Sequence, residues 1–255
     1  MSSMRFGGRE WLGGGWLEWV PDARRQRDPS DLFAETGLLA RTSLAADEEG
    51  QRVTSTWRGS DKPWELTRTI LIRADGAVEA RYEAVTTGTD RLPLLWSAPL
   101  RFPLTARTRI GIPDGGKLRV ASVTGAVHAS AARPGDLTTA VAWPRLSLDQ
   151  KPRDLSDPWS VPRRTLLNAW LELGGLRASL QLKQGDESLT LTFDGAGVPY
   201  CGLVIDRRRP AVTLQPSLGA PDNYTDACGD WQSITWLTPG QPRRWSMTLR
   251  SGAGK

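Results

Sequence analysis

The chain has 255 residues, 39% of them hydrophobic and 24% charged, so it can bury a sizeable core and is too apolar to stay disordered. Its net charge is +5, and its positive charge is almost all arginine, with small clusters at 24–25, 163–164, 207–209 and 243–244. Those clusters fall in separate expected turns and edges, a solvated rim and not the single basic face that nucleic-acid binding needs.

Segment 11–20 is too short and glycine-rich for a signal peptide. No run approaches the ~20 apolar residues of a membrane-spanning helix. The expectation is therefore a cytoplasmic protein with no membrane partner and no nucleic-acid partner. Two cysteines, Cys201 and Cys228, make no disulfide framework; they could pair in an oxidising compartment, but two buried thiols are the default expectation.

Glycines at 13–15 break any helix near the start, and 24–30 reads as an exposed polar loop. Strand signals begin at 40–44 and 52–57. Residues 65–72 are β-branched and partly alternating. Asp75-Gly76 supplies a hairpin turn, and 77–85 alternates apolar with polar, the period of a half-buried strand. Residues 92–104 are apolar but carry Pro93, Pro99 and Pro103, which suits a bulged or edge segment because proline donates nothing to a ladder.

Segments 109–113, 117–123 and 138–143 are further strands, and the proline-rich 144–162 reads as a long surface loop. Residues 166–173 favour a helix on propensity alone. Gly174-Gly175 and the alternating 176–182 argue instead for a hairpin. Strands follow at 188–194, 201–206 and 211–214. Short strands at such regular spacing predict an all-β sandwich or barrel with few or no long helices. No linker divides the chain, so residues 1–255 are expected to form one domain.

Several chemistries are absent from the pattern. The one histidine, His128, has no Gly-x-Ser-x-Gly elbow to serve. His128, Cys201 and Cys228 show no zinc-ligand spacing, so no metal is expected. No phosphate-cradling loop ends in Lys-Ser/Thr, and Gly13-Gly14-Gly15 opens no helix, so no cofactor is expected either.

A resemblance is spread over most of the chain. Gly8-Arg9-Glu10-Trp11-Leu12, Gly15-Trp16-Leu17-Glu18, Arg81-Tyr82-Glu83-Ala84-Val85-Thr86-Thr87-Gly88, Leu95-Trp96-Ser97-Ala98-Pro99 and Val198-Pro199-Tyr200-Cys201-Gly202-Leu203 stand in order. So do Leu214-Gln215-Pro216, Trp236-Leu237-Thr238-Pro239-Gly240 and Arg244-Trp245-Ser246. Together they resemble the galactose mutarotase-like (aldose 1-epimerase-like) family. The resemblance implies an antiparallel β-supersandwich with a sugar cleft on a concave face. It also implies one or two further strands before Gly8, so the sandwich is trimmed at that edge or the true start lies upstream.

The departures decide the expected function. Mutarotation needs a base for the anomeric hydroxyl and an acid for the ring oxygen. The resemblance places the family's Glu at Gln215 and its His at Pro99. A second histidine-bearing element falls at Glu35-Thr36-Gly37, and the Asp of the Gly-Trp-Asp-Glu element is Leu17. Gln still donates and accepts hydrogen bonds but does not titrate, and proline does neither. One lost acid–base group costs ~10²–10⁴-fold in rate.

The leading expectation is a non-catalytic protein that binds a carbohydrate or sugar-like molecule through Trp16, Glu18, Arg68, Trp96 and Gln215, with no catalytic residue. Core packing is the competing reading for Trp16 and Trp96. Two alternatives stay open. One is a divergent epimerase that uses Glu18, Glu35 or Asp222 as base. The other is a structural or partner-binding sandwich with a filled cleft, monomeric or a homodimer through an exposed edge.

Overall fold

The computed structural model describes residues 5–6, 9–10, 37–48, 50–59, 62–112, 115–125, 140–173, 178–194, 197–221 and 224–253. In chain order the strands begin with β1 (Arg5–Phe6), β2 (Arg9–Glu10), β3 (Gly37–Asp47), β4 (Gly50–Gly59), β5 (Trp64–Arg73), β6 (Val78–Thr86) and β7 (Leu92–Leu94). Next come β8 (Leu100–Pro103), β9 (Thr108–Gly111), β10 (Lys117–Thr124), β11 (Val141–Ala142), β12 (Arg145–Leu148) and β13 (Lys151–Asp154). The last are β14 (Leu166–Glu172), β15 (Ala178–Gln184), β16 (Glu187–Phe193), β17 (Tyr200–Asp206), β18 (Ala211–Ser217), β19 (Thr235–Leu237) and β20 (Arg243–Ala253). The one α-helix among the described residues, α1 (Tyr224–Cys228), has five residues. No helix among them is long and apolar enough to cross a membrane.

Two antiparallel sheets make the body. One has eight strands in the order β3-β4-β5-β6-β20-β16-β15-β9, the other six in the order β11-β10-β14-β17-β18-β8. The sequence alternation sets which side chains are buried between them. In β6, Val78, Ala80, Tyr82, Ala84 and Thr86 are buried while the residues between them are not. β15 repeats that pattern with Ala178, Leu180, Leu182 and Gln184. Each fully buried Leu or Val is worth about 1.5–3 kcal/mol of transfer free energy. Gly76, at φ +78, turns β5 into β6, and the Arg73 amide donates to the Ala77 carbonyl at 2.9 Å.

Most sequence-derived strands stand within a residue or two of their expected places, and β8, which ends on Pro103, is an edge strand. Three expectations need correction. The proline-rich 144–162 is not all loop: β12 and β13 pair there as a hairpin, followed by a 3-10 turn, Pro158–Ser160. Residues 166–182 do not form a hairpin, because β14 belongs to the six-stranded sheet and β15 to the eight-stranded one. Alternation predicts a strand but not which sheet receives it. Cys201 is buried and Cys228 exposed, and both are free thiols.

Candidate functional site

Gln215 lies in the interior of β18, and cross-strand register defines its surroundings. Arg119 stands opposite Trp170, Trp170 opposite Gly202, and Gly202 opposite Gln215. On the far side of β18, Leu100 faces Leu214 and Ser97 faces Ser217. The same register sets Pro99 directly opposite Gln215. The Ala98 amide donates to the Pro216 carbonyl at 2.9 Å, so Pro99 and Gln215 form the non-hydrogen-bonded kind of pair, with Cα atoms about 4.5 Å apart.

Directly opposed residues share a face, and residues two apart along a strand share it too. One face of the six-stranded sheet therefore carries Arg119, Trp170, Gln215, Glu172, Tyr200 and Ser217. The other carries Leu118, Leu171, Cys201, Leu203, Ile205 and Leu214, all buried in the core. The first face is the candidate site.

Its polar groups are extensively paired. Gln215 is 2% exposed, and its Nε2 donates to Ser97 Oγ at 2.9 Å. Ser217 Oγ lies 2.8 Å from the Trp96 carbonyl and 2.7 Å from that of Gly219. Arg119 and Glu172 form an ion pair at 2.9 Å, and the Arg119 guanidinium lies 5.3 Å from the Trp231 ring centroid. Tyr200 is hydrogen-bonded to Ser233; burial, with the nearby Glu172 charge, raises its phenol above the usual value. Gly202 is needed where it stands, because a Cβ there would lie 3.1 Å from Gln215 Cβ and 3.2 Å from the Trp170 ring.

Three buried atoms on this face have no hydrogen-bond partner among the described residues: Trp170 Nε1, Asn168 Oδ1 and Arg119 Nε, the last held by its ion pair with Glu172. Each of the first two is a group whose burial costs about 1–3 kcal/mol when it goes unsatisfied. No group of three or more His, Cys, Asp or Glu that could hold a metal ion occurs among the described residues.

The predicted site residues do not all converge. Gln215 is on the polar face. Trp96 is 0% exposed and points the other way, into the core. There its ring lies 4.7 Å from Tyr82 and 4.9 Å from Trp245, which stack on each other at 5.3 Å. Trp96 thus takes the packing role. Arg68 belongs to the eight-stranded sheet, in the row Ser55–Arg68–Tyr82–Trp245, with its guanidinium 4.8 Å from the Trp57 centroid. Trp16, Glu18, Glu35, Asp222 and His128 lie outside the described residues.

Trp170, Asn168, Glu172 and Tyr200 were not singled out from sequence. The signal was present in β14, where Asn168, Trp170 and Glu172 alternate with Leu167, Ala169 and Leu171. A large aromatic at a polar-phase position marks a face that is not ordinary solvent surface.

The architecture is that of solved galactose mutarotase-like proteins. A galactose mutarotase-like protein from Lactobacillus casei superposes with a TM-score of 0.59 at 13% identity, covering 96% of this chain and 90% of its own. One from Clostridium acetobutylicum gives 0.59 at 7% identity, covering 99% and 75%. A galactose mutarotase related enzyme from Lactobacillus acidophilus gives 0.58 at 14%, covering 85% and 72%. At these identities the likeness defines the fold. No protein-family model matches the chain, and no curated protein matches its sequence. The fold class is thus an antiparallel β-supersandwich of the galactose mutarotase-like type.

Proposed function

We propose that this protein is a non-catalytic relative of the mutarotases that binds a carbohydrate or sugar-like molecule on the polar face of its six-stranded sheet. The observation that carries the reading is the Pro99–Gln215 pair. The positions where the resemblance puts an acid and a base are direct cross-strand neighbours, and neither residue there can move a proton. Gln215 is held by Ser97, and the rest of the face offers donors, acceptors and aromatic rings of the kind that sugars use. The one carboxylate of that row pattern, Glu172, stands two strands away, about 10 Å by strand spacing, and is engaged by Arg119.

Polarimetry on α-glucose and α-galactose tests the first half: the rate stays at the buffer rate. Calorimetry and tryptophan fluorescence against a sugar panel test the second: at least one sugar gives saturable binding, weakened by Gln215→Ala. Mutarotation above the buffer rate by folded protein supports the divergent-epimerase alternative. A second reading has its own support, because Gln215 is 2% and Trp170 0% exposed. In that reading the face is filled and the protein serves as a structural or partner-binding module. A folded protein that binds no sugar favours it.

A further inference from the structure

The eight-stranded sheet ends on β3, which has no neighbour on its outer side among the described residues. A bulge at Leu39/Arg41 breaks its pairing with β4, after which the register is regular to Asp47. Residues 41–46 are all exposed. The bulge protects one end of the edge, but residues 41–46 beyond it contain no lysine and no proline.

Leu44, at the midpoint of the regular stretch, is 77% exposed. It is also the open end of an apolar row that crosses the sheet from Phe193 through Met247, Ala80, Ile70 and Val53. That row stays apolar up to the last strand and then meets water.

We propose that β3 pairs antiparallel with β3 of a second copy of this chain, about a two-fold axis at Leu44. That register sets Leu44 against its copy and joins the two apolar rows. It also sets position 41, an arginine, opposite position 47, an aspartate, on both sides of the axis. Centring the pairing on Ser43 sets Arg41 opposite Ala45, and centring it on Ala45 moves the partner of Arg41 to position 49, beyond the end of β3; both leave the leucines unopposed, so the edge favours one register. A two-fold contact requires such self-complementarity. The occupant is therefore a second copy, because the edge is complementary to itself.

Sedimentation velocity over a concentration series reads the association directly. The expected result is a reversible monomer–dimer equilibrium that Leu44→Lys abolishes. Because Leu44 is exposed, that variant keeps its thermal midpoint. Arg41→Asp and Asp47→Arg each weaken the dimer about three- to tenfold, and the double reversal restores it. In a Cys228→Ser background, Leu44→Cys forms an intermolecular disulfide on mild oxidation, because directly opposed residues lie about 4.5–5.5 Å apart at Cα, within disulfide reach. A monomer at every concentration overturns the proposal. So does a dimer indifferent to Leu44→Lys, a double reversal that fails to restore association, or a Leu44→Cys protein that stays uncrosslinked.

Discussion

The same strands of the six-stranded sheet build two faces that solve opposite problems. Toward the eight-stranded sheet, Leu203, Ile205, Leu171 and Leu214 are essentially free of solvent. That face is apolar and interdigitated, so its contribution is burial. Away from it, Trp170 and Gln215 are as covered, but Arg119 and Tyr200 beside them are only partly buried, and the face is built from hydrogen-bonding groups. Gln215 is as inaccessible as a core leucine but depends on Ser97 for its amide. Trp170 Nε1 has no partner among the described residues. A fold that needed only stability would place leucine at such positions. The difference is that Gln215 and Trp170 bury polar atoms where leucine would bury none, at a cost in desolvation.

The largest test contrasts truncations on the two faces. Leu203→Ala removes a fully buried side chain and should cost about 2–5 kcal/mol. Thr213→Ala, on the polar face and half-buried, should cost less than about 1 kcal/mol. Denaturant melts of both variants decide it, and similar losses for the two would erase the distinction between the faces.

Next in size is Gln215→Glu. A carboxylate at a position 2% exposed loses hydration, so its pKa rises in the folded state. A raised folded-state pKa means that stability is fully present below the unfolded pKa and declines as pH rises through the folded one. The variant should match the parent near pH 4 and fall about 1–3 kcal/mol below it at pH 7. It should not mutarotate sugars, because Pro99 still supplies no acid. The double variant Gln215→Glu with Pro99→His tests whether geometry alone was retained, by a polarimetric rate above buffer.

A smaller loss is expected from Gly202→Ala. The added Cβ would approach Gln215 Cβ at 3.1 Å and the Trp170 ring at 3.2 Å. Overpacking of this kind costs about 1–3 kcal/mol, toward the low end where a neighbour can give by a few tenths of an ångström. A shift in tryptophan emission should accompany it, since Trp170 must move. An unchanged spectrum would mean that the strain is relieved elsewhere and that the row is less tightly coupled than its register implies.

The core side of the eight-stranded sheet was largely readable from sequence. Alternation in 77–85 and 188–194, which become β6 and β16 of that sheet, names buried residues directly, because a period of two marks a half-buried strand. The polar face was less legible, for identifiable reasons. Gln215 came into view through a resemblance of motifs. Its neighbour Pro99 was identified from a different motif, and only the β8–β18 register brings the two together. Trp96 carried two readings, cleft and core, and one residue of strand phase turns it into the core. The 166–182 segment failed as a hairpin because local alternation does not encode which sheet receives a strand. Trp170 was visible as the odd aromatic in a polar phase, a signal that becomes informative only once the opposite phase is known to be buried.

The least disruptive test uses Cys201, which opposes Leu171 and Pro216 on the apolar face. Burial pushes its thiol up to about 12, with only the Gln215 backbone opposing that rise. At neutral pH the thiol is protonated whether the chain is folded or not, so it contributes no pH dependence there. Once the pH passes the ordinary thiol value, about 8.5, the unfolded chain loses this proton and the folded chain keeps it. A group whose folded pKa is raised contributes stability that is lost as pH rises, here at up to about 1.4 kcal/mol per pH unit until the folded thiol also ionises. The parent should therefore lose stability faster than Cys201→Val between roughly pH 9 and 11, with equal slopes below pH 8. Native-state alkylation gives the matching kinetic readout. Exposed Cys228 should react at once and Cys201 only on unfolding, so that two fast thiols in the folded protein would mean that the apolar face opens.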